Sequence, residues 1–385
     1  MSSGKPFAGT PNLRLPFARP SIDEATIAGV VDVLRSGWLA SGPFVTQFES
    51  ALSGYLGGRP VRVMTSATAA MEIALLACGI GAGDEVITTP MSWCATANVI
   101  LRAGARPVFV DIDLDSRNLD LEQVAARIGP RTRAILPVHF AGLPVDMDRL
   151  YDLARRHKLR VIEDAAHAIG SRWQERLIGS IGDVVCFSFH PNKNMTTAEG
   201  GAIVASAPDE VAAIERLRFN GVIKPASGEL DVIEPGLKAN MSDISARIGM
   251  GQLARLEEFN ARRRLLVDRY FEHWGQAAPL RLPQRGDSGH SWHMFAPLLP
   301  LDRMSIGRRE FIARMDERGI GVGIHYPAIH LLTAYRRLGW KDGTYPNAER
   351  VGRETVTLPL FPTMTNADVD RVVDAVQDVL AGVVS

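Results

Sequence analysis

Along the first half of the chain, short apolar runs alternate with stretches in which apolar residues recur every three or four positions. The runs predict strands at Val61–Met64, Glu85–Thr88, Pro107–Val110, Ala134–His139, Arg160–Ile162, Val184–Ser188 and Ala202–Ala205. The longer period predicts helices between them, at Thr68–Cys78, Ala95–Leu101, Leu121–Ile128 and Asp148–His157. Strands alternating with helices indicate an α/β domain around a mostly parallel, seven-stranded sheet. Ahead of it, Ser21 and Glu24 form a capping box for a first helix. Its apolar face is Ile27, Val30, Val31 and Leu34, and Gly37 stops it. From Ser242 the pattern changes. That serine is read as the N-cap of a long helix running to about Trp274, a connector into a second domain. A strand at Trp292–Leu298, a polar helix at Ile306–Arg318 and the run Gly321–Tyr326 follow, with His290 and His293 expected on a domain-edge strand. The last helix is capped by Thr365 with Asp368 and buries Val369, Val372, Val373, Val376 and Leu380. The expected division is a large domain over 1–255 and a smaller α+β domain over 256–385.

Composition narrows the class. The 385 residues are 46% hydrophobic and 22% charged, the balance of a folded two-domain chain. Lysine plus arginine equals aspartate plus glutamate at 43 each, which gives no electrostatic reason to expect nucleic acid or an anionic membrane as partner. The basic run Arg262–Arg264 lies on a predicted helix and is read as a solvated face. No stretch reaches the roughly 18 apolar residues of a membrane span. Met-Ser-Ser-Gly-Lys-Pro lacks the apolar core of a signal peptide. Cys78, Cys94 and Cys186 are odd in number, far apart and in apolar settings, which suggests free thiols and a cytoplasmic location.

Four segments at predicted strand ends carry more polar groups than their surroundings require, where α/β folds place ligands. Ser66, Ala67 and Thr68 end a strand and open a helix, an arrangement that serves either as an ordinary cap or as a phosphate site. Val161 and Ile162 deliver Glu163, Asp164 and, three residues later, His167. A carboxylate there serves as metal ligand, helix cap or partner of a protonated ring nitrogen. Ser188-Phe189-His190-Pro191-Asn192-Lys193 puts a lysine just past an apolar strand and a proline; Gly200 and Gly201 follow, suggesting close backbone approach. Trp93 follows another strand, to pack in the core or to cover a flat ring. Each signal alone has a bland reading. Together they supply what pyridoxal 5′-phosphate (PLP) requires. Ser66, Ala67, Thr68 and Ser188 are read as phosphate ligands, and Asp164 as partner of the ring nitrogen. His167 is placed beside the phenolic oxygen, Trp93 on a ring face, and Lys193 on the aldehyde.

These segments resemble the DegT/StrS-type sugar aminotransferases, a branch of the PLP enzymes of fold type I, which are aspartate aminotransferase-like. The resemblance runs through Arg35–Trp38, Ser41–Pro43, Ser66–Met71, Gly83–Ile87, Pro107–Asp113, Glu163–Ala168, Ser188–Lys193, Asn240–Ile244, Gln252-Leu253 and Leu358–Leu360. It implies a Schiff-base role for Lys193 and a homodimer in which Asn240 reaches the partner subunit's cofactor phosphate. Many members have glycine where Ala67 stands; a subgroup acting on a UDP-linked 4-keto-pentose carries alanine, and this chain is similar to it. The implied reaction moves an amino group from glutamate to a nucleotide-linked keto-sugar. His190, three residues before Lys193, lines the site or supports the turn. His325, Tyr326 and His330 match a region where members carry substrate-side aromatic or histidine residues. The spacing of His325 and His330 has no acidic or cysteine partner nearby, so no metal site is expected. Two other PLP readings carry signatures of their own. A sugar 3-dehydratase would have histidine in place of Lys193, and a PLP-binding regulator would carry a DNA-binding segment. A nucleotide-binding α/β protein without PLP would need a glycine-rich fingerprint that this sequence lacks.

Overall fold

The computed structural model describes residues 14–384 apart from 224, 226, 227 and 288. Its strands are β1 (Val61–Met64), β2 (Glu85–Thr88), β3 (Arg106–Phe109), β4 (Thr132–Leu136), β5 (Arg160–Asp164), β6 (Arg172–Trp173), β7 (Arg176–Leu177), β8 (Val184–Ser188), β9 (Gly201–Val204), β10 (Val222–Ile223) and β11 (Asp231–Val232). The helices needed below are α1 (Glu24–Ser36), α2 (Pro43–Tyr55), α3 (Ala67–Ala77), α4 (Ala95–Arg102), α5 (Leu121–Arg127), α6 (Met147–His157), α7 (Pro208–Leu217), α8 (Asp243–Ala254) and α9 (Leu256–Trp274). They are followed by α10 (Arg308–Glu317), α11 (Thr333–Arg337), α12 (Pro346–Glu354) and α13 (Asn366–Leu380).

Seven strands form one sheet in the order β1-β9-β8-β5-β4-β2-β3. β9 alone runs against the others, pairing antiparallel with β1 and β8, so the expected α/β fold with a mostly parallel seven-stranded sheet is the fold observed. The central strands bury both faces. Val161, Val185, Phe187, Ala202 and Val204 enter one apolar cluster, while Ile162, Val184, Cys186 and Ile203 enter the other. This is the period-two alternation of a sheet covered on both sides. A third cluster joins Leu266, Tyr270 and Trp274 of α9 to Val369, Val372, Val373 and Val376 of α13. Among the described residues, no helix is long and apolar enough to cross a membrane.

Three local expectations are corrected. α1 is capped by Asp23, whose carboxylate accepts from Thr26 N at 2.8 Å, rather than by Ser21. It buries Thr26, Gly29 and Val33 and leaves Ile27 and Leu34 about half exposed. The reason is close packing on α8: a Cβ on Gly29 would lie 2.2 Å from the Arg247 guanidinium, and one on Gly251 would lie 2.0 Å from Thr26 Oγ1. Ser242 does cap a helix, but α8 ends at Ala254 and α9 begins at Leu256, with Arg255 between them at φ −110°. The segment 292–298 is no strand. It makes isolated bridges, Phe295 to Leu358 and Leu298 to Thr355, while His290 and His293 are buried. At the other end, the capping box of Thr365 and Asp368 and the buried valine face of α13 are as expected.

Candidate active site

The C-terminal ends of β1, β5 and β8, the start of β9 and the residues after β2 meet at one edge of the sheet. They surround a cavity of about 400 Å³. Ser66, Ala67, Thr68, Trp93, Asp164, His167, Ser188, His190, Lys193, His325 and Tyr326 all line it. Ser66, Asp164, Ser188 and Lys193, dispersed over 127 positions, converge because the parallel strands point their ends the same way.

Ser66 is the N-cap of α3 and accepts from Ala69 N at 3.1 Å. Helix geometry leaves the N–H groups of the first turn without acceptors inside the helix, so a phosphate can take them. β9 passes directly behind. A Cβ on Gly201 would lie 2.4 Å from the Ser66 carbonyl carbon and 2.5 Å from Ala67 N, so this position admits only glycine. Ser188 ends β8, and its hydroxyl accepts from His190 N at 3.4 Å.

Lys193 is carried on a turn tied down on both sides. Lys193 N donates to His190 O at 2.9 Å and Thr197 N to Phe189 O at 2.9 Å. Asn194 Nδ2 donates to Asn260 Oδ1 at 2.7 Å and to Ser291 O at 2.9 Å. Desolvation pushes the Lys193 amine down to about 8, and the Asp164 charge offsets only part of that. A substantial fraction is therefore neutral and nucleophilic near pH 7–8, by the ordinary titration law.

The two acids of β5 diverge because successive strand residues face opposite sides. Glu163 is fully buried, with Tyr151 donating at 2.6 Å and His139 Nε2 at 2.9 Å. Val145 N donates to His139 Nδ1 at 3.1 Å, so the His139 proton sits on Nε2 and this pair is an internal anchor. Asp164 faces the cavity. Thr96 Oγ1 donates to Oδ2 at 2.7 Å and Ala166 N to Oδ1 at 3.1 Å. Burial raises its pKa; the Thr96 and Ala166 hydrogen bonds and the Lys193 charge oppose that rise.

His167 is buried, with Nε2 3.1 Å from the Tyr326 hydroxyl and its ring stacked on His293 at 4.4 Å. Burial first, then Lys193 and His325, hold it far below the usual histidine range, so it is neutral. Among the described residues its Nδ1 has no hydrogen-bond partner. Trp93 is 60% exposed and stands 5.9 Å from the Tyr326 ring, so core packing is not its role. His325 is fixed by the Thr357 hydroxyl at 2.7 Å from Nδ1, and burial pushes its pKa down to about 4.

Three further expected site residues lie at the cavity's rim or outside it. His190 stands at the exposed rim, its Nδ1 2.8 Å from Asn192 Oδ1. His330 does not line the cavity: it is fully buried and pairs with Glu349 at 3.0 Å. Asn240 lies outside this chain's own cavity and donates to Ser41 Oγ at 2.6 Å. Thr96 and Ser92 also line the cavity, although neither shows a role in the sequence, and His293, expected on a domain-edge strand, stacks on His167 instead. A threonine inside a helical pattern, 68 positions from its carboxylate partner, gives no local signal. A wider groove of about 800 Å³ between 113–122 and 284–287 shares no residue with the cavity. Its Arg149 and Arg285 are engaged by Glu122 and Asp268.

The residues present fit PLP. A buried carboxylate whose side-chain and backbone donors are both neutral lacks a direct cationic partner, which a protonated pyridine nitrogen would provide. The helix end offers phosphate donors, and the one lysine in the cavity has a depressed pKa.

Comparison with known proteins agrees. The DegT/DnrJ/EryC1/StrS aminotransferase family model matches residues 20–377. The spore coat polysaccharide biosynthesis protein SpsC of Bacillus subtilis is 39% identical over 379 residues, covering 96% of this chain and 97% of its own. A Streptococcus pneumoniae chain described as a sugar aminotransferase, in its PLP form, is 33% identical with a TM-score of 0.90, covering 97% of this chain and 100% of its own. Helicobacter pylori PseC, an aminotransferase involved in the biosynthesis of pseudoaminic acid, is 27% identical with a TM-score of 0.91, covering 96% and 99%. The chain belongs to the DegT/DnrJ/EryC1/StrS aminotransferase family and is a PLP-dependent transaminase.

Proposed function

We propose that the enzyme transfers the amino group of glutamate to the 4-keto carbon of a nucleotide-linked sugar, giving an amino sugar. The observation that carries this reading is the placement of Lys193, its pKa near 8, opposite the buried carboxylate of Asp164 in one cavity. Bound PLP supplies an electron sink for charge that develops at the carbon bearing the amine. The protein does the rest. Asp164 would keep the ring nitrogen protonated, and the first turn of α3 with Ser66 and Ser188 would hold the phosphate end. Trp93 would cover a ring face. Lys193 Nζ would hold the cofactor and, once the incoming substrate amine has displaced it, would carry the proton away from the amino-acid α-carbon. Trp93, His190 and Glu199 are the exposed residues of the cavity lining while Tyr326 is buried, so a sugar-nucleotide would approach from the side of Trp93 and His190. SpsC and PseC, named for carbohydrate pathways, support a sugar acceptor.

The reading includes a homodimer in which Asn240 serves the other subunit's site. Its support is an apolar surface of Ile22, Ile27, Leu34, Trp38 and Leu39 on and beside α1, together with Asn240 lying outside its own cavity. A cytoplasmic location accords with three free cysteines. The test is to supply glutamate with a panel of nucleotide-linked 4-keto and 3-keto sugars, the UDP-linked 4-keto-pentose included. 2-Oxoglutarate and an amino sugar should appear together with a 4-keto acceptor. Turnover with 3-keto acceptors alone would overturn the assignment.

A further inference from the structure

Asp164 is the pivot of the site, and the hydrogen bonds that hold it come from an unexpected place. Thr96, in the first turn of α4, has three oxygens within reach: Asp164 Oδ2 at 2.7 Å, Ser92 Oγ at 2.7 Å and Trp93 O at 3.1 Å. Ser92, Thr96 and Asp164 are at most 4% exposed, so water does not compete for these contacts.

We propose that Ser92 and Thr96 form a hydroxyl relay that sets the orientation and charge state of Asp164, with Thr96 a positioning residue for the cofactor. The inference rests on the reading that Asp164 meets a cationic ring nitrogen. A hydroxyl has one proton. When Asp164 is ionised it only accepts, so the Thr96 proton points to Oδ2 and Ser92 donates to Thr96. When Oδ2 is protonated the direction reverses: the acid donates to Thr96, whose own proton turns to Trp93 O. The relay satisfies either state, and it favours the ionised one by giving the carboxylate a short donor in a dry setting. Other ionisable groups face Asp164: Lys193 from the turn after β8, Cys186 from β8, His139 from the end of β4, and Tyr326 from the C-terminal side. Among the described residues none of these hydrogen-bonds the carboxylate; Thr96 is its one side-chain donor, and Ala166 N is bound to its other oxygen.

The test compares wild type, Thr96→Val, Thr96→Ser and Ser92→Ala. Valine keeps the shape and removes the donor, and serine restores it. Two quantities are read: the dissociation constant for PLP, and the titration of the Asp164 carboxyl followed by carbon-13 NMR in the full chain before PLP is added. Thr96→Val should weaken PLP binding about tenfold and move the titration upward, the loss typical of a hydrogen bond to a charged group. Thr96→Ser should stay within about threefold of wild type, and Ser92→Ala should shift both readings in the valine direction by about two- to threefold. Thr96→Val matching wild type in both would overturn the relay. If that variant does not fold, an unmoved titration in Ser92→Ala overturns it instead. Failure of wild type to bind PLP at all would sink the functional reading, while the NMR arm would still decide the relay.

Discussion

The cavity has two walls of different origin. One is built from strand ends, with Ser66, Asp164, Ser188 and Lys193 each within five residues of a β-strand of the sheet. The other is built from irregular chain after α10, where His325 and Tyr326 are held by Thr357 and His167. On the first wall, position follows from topology, because parallel strands deliver their ends to one edge. On the second, position depends on side-chain contacts between segments far apart in sequence. The strand wall therefore carries the chemistry, and the irregular wall shapes and supports it.

Four substitutions and titrations test that division, and the strand wall should give the larger effects. Lys193→Ala should abolish transamination, with kcat/KM down at least roughly 10³-fold, in steady-state assays of 2-oxoglutarate formation. Asp164→Asn should lower kcat/KM by about 10²-fold and yet stabilise the protein freed of PLP at neutral pH. The sign follows from burial. Asp164 has a raised folded pKa, so its contribution to stability is present in acid and lost as pH rises through that pKa. Thermal melts across that range should show the variant's advantage growing with pH. The rate at which PLP attaches to wild type should rise with pH about a midpoint near 8, the value burial imposes on Lys193, instead of the ordinary lysine range.

The irregular wall should respond less. Tyr326→Phe removes the hydroxyl 3.1 Å from His167 Nε2 and should cost about three- to tenfold in kcat/KM. His330→Ala should leave kcat/KM within about threefold while lowering Tm, since its buried bond to Glu349 serves packing rather than the cavity. A loss at His330 as large as that at Asp164 would break the comparison.

What was legible in the sequence follows the same line. Strands β1, β2 and β8 match their predicted limits because their burial is set by local apolar runs. The residues gathered at their ends were found for the same reason. The apolar face of α13 was read correctly, while that of α1 was read inverted: its Thr26 and Gly29 pack against α8, and Ile27 and Leu34 turn outward. Periodicity reports that a helix has an apolar stripe, but the partner decides which stripe is buried. Thr96 has no signal in the sequence, and His293 reads there only as part of a domain-edge strand, because their meaning arises only from what they touch, Asp164 and His167. His330 was over-read, since a histidine near a histidine–tyrosine pair looks the same in sequence whether it faces the cavity or Glu349.

The central claim is that Lys193 is the residue that carries PLP. Borohydride reduction of the PLP-loaded protein followed by peptide mass spectrometry tests it most directly. The account predicts one pyridoxyl-phosphate adduct per chain, on the lysine of the peptide spanning His190 to Met195. An adduct on another lysine, or full retention of the cofactor by Lys193→Ala with no adduct lost, would contradict it.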